Sequence, residues 1–291
     1  MTLKVVNVGC VPGGEAFLLI TEEKAAIIDA GFAFTAKPMV KKMKAELGDR
    51  KLDYILLSHS HYDHISGSSL MKKVWPDAKI VSAAHAAKVF EKPSAMKTIR
   101  KMNMAAAFYF KRSPFFSNDL SRIHTDMVVK DGDIIDLGSV KLEVIEAPGH
   151  TRDSLAFWCE SERLAMTCET MGVLAGNDMI MPACLVSYRT TMDFIDRLER
   201  LHPKRILYPH YGIIEGEDDC NTVIGWAKRD NAKMKEMIIS AHREGKDVEE
   251  IKQLVKDTYY TDIIRKGQPE KAFDLNNRYM VPMIIKECGD E

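Results

Sequence analysis

The chain has 291 residues, enough to bury the core of one large domain or of one domain with an appendage. Its 41 basic and 42 acidic residues nearly cancel, which excludes a general electrostatic attraction to nucleic acid or to an anionic membrane surface. No apolar stretch approaches the roughly 20 residues that a membrane-spanning helix requires, and no signal peptide is evident. The six cysteines lack paired spacing, so we expect reduced thiols in a cytoplasmic protein.

The first third of the chain predicts a β-meander followed by alternating helices and strands. Its first apolar runs are separated by Gly13-Gly14 and by a polar Thr-Glu-Glu-Lys segment, which are typical turn signals. Helical spacing and a later apolar run then predict a helix before a buried strand. The predicted strands are 4–8, 16–20, 25–28, 52–57 and 79–82, and the predicted helices are 35–47 and 66–74.

The segment 84–118 has a different character, because it is predicted to be helical and is rich in methionine, aromatic and basic residues. We interpret 84–125 as a helical insertion. It either covers a site as a lid, with apolar and basic groups facing a substrate, or packs on the core with its charges in water.

Strands resume after this insertion, and the chain ends in helices. Asp247 and Glu250 resemble a capping box at the start of a tail helix. We expect one domain over 1–215 and a helical C-terminal extension, 216–291, packed on it. The predicted strands are 127–129, 134–137, 141–146, 155–159, 163–167 and 205–208, and the predicted helices include 190–201 and 273–286.

The most informative segment runs from Ser58 to His64 and reads Ser-His-Ser-His-Tyr-Asp-His. Its side chains His59, His61, Asp63 and His64 are imidazoles and a carboxylate, which zinc and similar metals prefer as ligands. The cluster follows a predicted buried strand, and strand ends are where sheet-based enzymes build their sites. The segment therefore predicts a metal-binding loop.

Three further metal-competent groups follow later strands. His150 lies in an Ala-Pro-Gly-His-Thr turn after the strand at 141–146. Glu169 follows the strand at 163–167, and His210 follows the strand at 205–208. Each side chain stands where a strand gives way to a loop, so the order of these residues predicts that they join the first cluster.

Together these residues resemble the metallo-β-lactamase-fold hydrolase superfamily over roughly residues 1 to 215. The resemblance implies a four-layer αββα sandwich of two mixed β-sheets flanked by helices, an α/β (α+β) fold with a helical C-terminal appendage. Asp29 with Ala30-Gly31 matches the early acidic turn of the family, whose carboxylate supports the histidine loop. Glu169 stands where the family usually has a bridging aspartate, so this chain departs from the pattern by one methylene.

The resemblance also implies two divalent metal ions, with zinc favoured over iron or manganese. His59, His61 and His150 would hold the first metal, while Asp63, His64 and His210 would hold the second. Glu169 would bind at or between them. Asp63 would also act in catalysis, by orienting the nucleophile or relaying a proton.

We therefore expect a hydrolase that uses a metal-bound hydroxide on an ester-type bond, such as a thioester, lactone or phosphodiester. The basic insertion favours a small, anionic substrate. Two alternatives remain open: a di-iron oxidoreductase of the same fold, and a binding or regulatory relative without turnover. We expect a small-molecule substrate and neither nucleic acid nor membrane as a partner; the sequence leaves open the oligomeric state, a homodimer included.

Overall fold

A computed structural model describes residues 3–176 and 178–289 of the chain. The described residues form fourteen strands, most of them short. In chain order they are β1 (Lys4–Asn7), β2 (Phe17–Ile20), β3 (Ala25–Ile28), β4 (Tyr54–Leu56), β5 (Lys79–Ala83), β6 (Met127–Val129), β7 (Ile134–Asp136), β8 (Lys141–Glu146), β9 (Leu155–Cys159), β10 (Leu164–Met166), β11 (Val173–Gly176), β12 (Met179–Met181), β13 (Arg205–Tyr208) and β14 (Gly212–Glu215).

The α-helices lie between the strands and dominate the end of the chain. Three 3₁₀ turns, at Ala33–Thr35, Glu160–Glu162 and Glu169–Met171, complete the regular structure of the described part. The α-helices are α1 (Ala36–Leu47), α2 (Tyr62–Ile65), α3 (Ser68–Val74), α4 (Ala84–Phe90), α5 (Pro93–Tyr109), α6 (Tyr188–Arg200), α7 (Glu217–Arg243), α8 (Val248–Tyr259), α9 (Asp262–Gly267) and α10 (Glu270–Cys288).

The strands form two six-stranded sheets and one hairpin. The first sheet has the order β1-β2-β3-β4-β5-β6, with antiparallel pairing up to β3 and parallel pairing from β3 onward. The second sheet has the order β14-β13-β10-β9-β8-β7, in which only β10 and β13 pair in parallel. Both sheets are therefore mixed, as the family resemblance implied.

Three hydrophobic clusters give the layer order. One lies between the two sheets and includes Phe17, Leu56 and Phe157. A second joins the first sheet to α1, α3, α4 and α5, and a third joins the second sheet to α6 and the first half of α7. Helices thus cover the outer face of each sheet, and the four-layer αββα architecture is confirmed.

The C-terminal helices pack on one another and on the hairpin of β11 and β12. Their shared cluster includes Met181, Ile238, Val255 and Ile284. The capping box is confirmed, because Asp247 accepts backbone hydrogen bonds at the start of α8 and Glu250 accepts one from Asp247. The domain boundary at 215 stays a prediction. No helix in the described ranges has the length and apolarity needed to cross a bilayer.

Sequence patterns missed two parts of this architecture. The hairpin of β11 and β12 and the edge strand β14 were not predicted. The insertion is helical over α4 and α5, whereas most of residues 110–126 form turns and irregular structure. These differences concern short or irregular segments, whose conformation depends on what they pack against.

Candidate metal centre

The predicted ligands meet at one edge of the two sheets. His59 and His61 lie in the loop after β4, while Asp63 and His64 lie in α2, which that loop enters. The other three follow β8, β10 and β13 of the second sheet. The backbone N–H of Leu155 donates to Ser58 O at 2.7 Å and ties the two sheets together beside the site.

The candidate ligands fall into two groups. Ligand atoms of His59, His61, His150 and Glu169 form the first group, and in each group the atoms lie within 4.8 Å of one another. Asp63, His64 and His210 form the second group. Ligand atoms bound at about 2.0–2.2 Å from one zinc ion lie about 3–4 Å apart, so both groups are compact enough for a cation. The structure brings the seven predicted ligands together in these two groups, with Glu169 among the histidines of the first, and their binding to metals stays a prediction.

The far ring nitrogen of four histidines is held by a hydrogen bond. His150 Nδ1 donates to Ala183 O at 2.8 Å, His64 Nδ1 donates to Asp29 Oδ2 at 2.8 Å, and His210 Nδ1 donates to Gly13 O. His59 Nδ1 lies 3.0 Å from Ser58 Oγ. These bonds fix each ring so that Nε2 faces the site, which is how metal-binding imidazoles are oriented in proteins.

Asp29 supports one ligand of each group. Its carboxylate accepts from Ser58 N and Ser58 Oγ, both at 2.8 Å, as well as from His64. Since Ser58 Oγ donates its proton to Asp29, it accepts from His59 Nδ1–H. Asp29 therefore orients His64 directly and His59 through one hydroxyl. Its φ of 59° is a left-handed conformation, which aspartate tolerates better than most residues.

The carboxylate of Glu169 lies between the two groups. Its Oε2 is 2.6 Å from His150 Nε2 and 3.1 Å from His59 Nε2, whereas its Oε1 is 2.8 Å from His210 Nε2. One oxygen therefore faces the first group and the other faces the second. The additional methylene of glutamate is compatible with a carboxylate placed between the groups.

The donor set fits cations. The Nε2 atoms of His59, His64 and His210 are buried and have no hydrogen-bond partner among the described residues, although Glu169 oxygens are close. Lone pairs of imidazole and carboxylate that converge without hydrogen bonds are the arrangement a divalent metal requires. The Ser58 hydroxyl, the Asp29 carboxylate and the Gly13 carbonyl already satisfy the remaining nitrogens of these rings.

Burial and neighbouring charges strongly shift several pKa values in the metal-free site. Burial and the nearby His64 hold the pKa of His59 well below its ordinary value, so this imidazole is neutral. Burial also disfavours the charged forms of His210 and Glu169, but their mutual attraction outweighs it. The pKa of His210 is consequently raised to about 10, and the pKa of Glu169 is held well below its ordinary value.

A cavity of about 220 Å³ opens above these residues. His61, Asp63, Glu169 and His210 form its floor, and most of the rest of its wall comes from α5, the hairpin and residues 264–276. The contribution of 264–276 was not predicted from the sequence, because it depends on how the tail helices fold back. The remaining histidines in the described part lie outside both ligand groups, and His124, for example, pairs with Asp126.

The fold and the donor set define a metallohydrolase-like centre, and a family comparison identifies the class. The model of the metallo-β-lactamase superfamily matches residues 12–210, and the chain belongs to this superfamily.

Curated relatives match about half of the chain. "Glyoxylase B2" of Dictyostelium discoideum is 27% identical over 175 residues, which are 57% of this chain and 52% of that protein. "Hydroxyacylglutathione hydrolase" of Francisella tularensis subsp. novicida is 26% identical over 155 residues, 53% of this chain and 46% of that protein. The chain thus spans about half the length of the curated relatives it matches.

Solved structures of low sequence identity share the fold. A metallo-β-lactamase family protein of Thermus thermophilus has a TM-score of 0.65 at 17% identity, covering 94% of this chain and 91% of its own. The archaeal superfamily protein of Sulfolobus tokodaii has a TM-score of 0.59 at 19% identity, covering 80% and 87%. A sec-alkylsulfatase of Pseudomonas sp. has a TM-score of 0.66 at 14% identity, covering 99% and 49%.

Proposed function

We propose that the chain is a hydrolase with two divalent metals, zinc being favoured, that cleaves an ester-type bond of a small molecule. The observation that carries this proposal is the position of Glu169, whose two carboxylate oxygens each face one of the two ligand groups. A carboxylate in this position serves both cations, which is a feature of two-metal hydrolytic sites.

The two groups of side chains indicate which residues would bind each metal. His59, His61 and His150 would hold one metal, Asp63, His64 and His210 would hold the other, and the Glu169 carboxylate would serve as a ligand at or between them. When bound, a pair of divalent metals provides Lewis acidity that polarises the scissile carbonyl and makes water a nucleophile at neutral pH. The seven residues can therefore support hydrolysis without a nucleophilic side chain.

Asp63 is proposed to move a proton during the reaction. Its carboxylate lines the cavity, and its Oδ2 lies 3.6 Å from His64 Nε2. With a metal bound, one oxygen of Asp63 would serve as a ligand and the other would be free to accept a proton from water. The rings of His59, His64 and His150 are buried, so they exclude water from their side of the site.

Thioesters are the favoured ester-type bond, with lactones and phosphodiesters as alternatives. The names of the curated relatives support this order, because the acyl group of a hydroxyacylglutathione is attached to sulfur. The family match over residues 12–210 contains the candidate ligands but only part of the cavity wall. The relatives therefore support the choice of the bond to be cleaved, but they do not support a particular substrate.

The test combines metal analysis with a panel of thioesters, lactones, phosphodiesters and alkyl sulfates. We expect two metals per chain, loss of turnover with chelator, and recovery with zinc or manganese. His61→Ala and Glu169→Gln should lower kcat/KM by at least about 100-fold, while His124→Ala, a matched variant of an exposed histidine outside the site, should not.

Three results would contradict the proposal. Full activity in the presence of chelator and in His61→Ala would exclude a metal-dependent reaction. Bound iron with visible absorption and no hydrolysis of the panel would favour the oxidoreductase, and metal binding without any turnover would favour a binding relative.

A further inference from the structure

The wall of the cavity above the candidate metal centre differs in chemistry from the metal-site residues that form its floor. Beyond the metal-site residues, its wall is formed mainly by apolar side chains contributed by α5, the β11–β12 hairpin, α9 and α10. These residues are Ile99, Met102, Val173, Met181, Ile264 and Leu275.

Apart from the histidines of the metal centre, the wall carries no basic side chain among the described residues. Asp63 and Glu169 are its acidic members, and both belong to the candidate ligand groups. Lys97, Arg100 and Lys101 of α5 flank the cavity-lining residues in sequence but are exposed and do not line it. A charged substituent entering this wall would lose its hydration without gaining a partner, which is strongly unfavourable.

The polar groups of the wall are neutral. Thr98, Gln268 and Asn276 contribute a hydroxyl and two amides. Gln268 Oε1 is buried and has no hydrogen-bond partner in the described structure. An apolar pocket with a few uncharged polar groups is the environment that an uncharged organic group prefers.

Much of this wall lies outside the part of the chain that defines the family. The family match ends at residue 210, whereas Ile264, Gln268, Leu275 and Asn276 follow it. The tail helices are nevertheless fixed beside the site, because Tyr211 Oη donates to Ile263 O at 2.8 Å. Part of the cavity wall therefore lies outside the matched family region.

We infer that this cavity binds an uncharged, mainly apolar acyl chain next to the metal centre, so that the preferred substrates are esters or thioesters of aliphatic acids. The inference rests on the proposed function only for the bond that is cleaved. A charged portion of the substrate, such as an anionic leaving group, would lie outside the cavity, in the solvent to which the basic side chains of α5 are also exposed.

Binding can be measured separately from hydrolysis. The zinc-loaded full-length protein is titrated by calorimetry with a series of methyl n-alkyl ketones, which have a carbonyl and an aliphatic chain but no leaving group. We expect Kd to fall about fourfold with each added methylene until the cavity is filled. In parallel, kcat/KM for the thioesters of the same chain lengths should rise by a similar factor.

Two exposed apolar residues of α10 provide a matched pair of variants. Leu275 is 41% exposed and lines the cavity, whereas Tyr279 is 59% exposed, lies one turn later and does not line it. Leu275→Asp should weaken binding of the longest ketone at least tenfold, and Tyr279→Asp should leave it unchanged. Ala272→Phe should shorten the longest chain accepted, because Ala272 lines the same cavity.

The outcomes distinguish the two proposals. Ketone binding that does not depend on chain length, or equal effects of Leu275→Asp and Tyr279→Asp in folded proteins, would overturn the inference whatever the esters show. Chain-dependent ketone binding without hydrolysis of any ester would support the cavity assignment and reject the proposed function. Circular dichroism of each variant establishes that it is folded.

Discussion

Replacement of Asp29 tests the organisation of the whole centre, because this buried carboxylate supports one ligand of each group. It accepts three hydrogen bonds, from Ser58 N, Ser58 Oγ and His64 Nδ1, each at 2.8 Å. Asp29→Asn keeps a residue that tolerates the φ of 59°, but it removes the charge and presents an amide N–H to groups that donate.

The expected magnitudes follow from these bonds. Loss of the charge-assisted bond to His64 costs about 1.5–3 kcal/mol, and an unsatisfied buried donor at Ser58 adds about 1–3 kcal/mol. The free energy of unfolding of metal-free Asp29→Asn should therefore fall by about 2.5–6 kcal/mol. Because His59 and His64 both lose their orientation, zinc affinity should fall about 10- to 100-fold at each of the two sites.

The assay is a zinc titration against a competing chelator, accompanied by urea unfolding of the metal-free protein. Asp126→Asn is the matched control, since Asp126 also accepts a strand N–H, from Ile80 at 2.8 Å, but contacts no candidate ligand. It should lose stability and keep both zinc affinities. Unchanged zinc affinity in Asp29→Asn at both sites would show that Asp29 does not orient the ligands.

Two further predictions concern backbone packing and cysteine reactivity. Gly67→Ala should lower the free energy of unfolding by about 1–3 kcal/mol or more in urea, because its Cβ would lie 2.0 Å from Ala30 O. Gly225→Ala, whose Cβ would meet no atom within 4 Å, should be neutral or stabilising, and an equal loss in both would refute the steric reason. Iodoacetamide should label half-buried Cys10 before the fully buried Cys168, whose pKa burial raises to about 11. Mass spectrometry checks this order, and native labelling of Cys168 first would contradict the buried assignment.

The candidate ligands could be selected from the sequence because most of them follow a predicted strand, whereas their division into two groups came from the family resemblance. An apolar run predicts the strand, and the metal-competent residue just after it is placed at the sheet edge by the strand itself. His150, Glu169 and His210 follow this rule, and the structure brings all three to the first cluster. The resemblance left open whether Glu169 lies at one metal or between the two, since that depends on distances across two sheets.

The cavity wall could not be predicted for the same physical reason. Helical spacing in the tail indicates which residues are buried, but it does not indicate which side of the core the helices cover. Leu275 is a solvent-facing residue by its helical position, and only the packing of α10 beside the metal centre makes it part of the wall. The metal-competent residues are therefore visible in the sequence, whereas the residues that shape the cavity wall are not.

Tyr211 links these two parts of the molecule. It follows His210, has a φ of 65°, and donates its N–H to Glu15 and its Oη–H to Ile263 O in the tail. A Cβ at Gly267 would lie 2.0 Å from Tyr211 Oη, so only glycine allows the tail to approach this ring so closely. Because one residue joins a ligand loop to the tail, the apolar wall keeps a fixed position relative to the metal ligands. A substrate held by the wall is thereby held at a fixed distance from the centre that is proposed to cleave it.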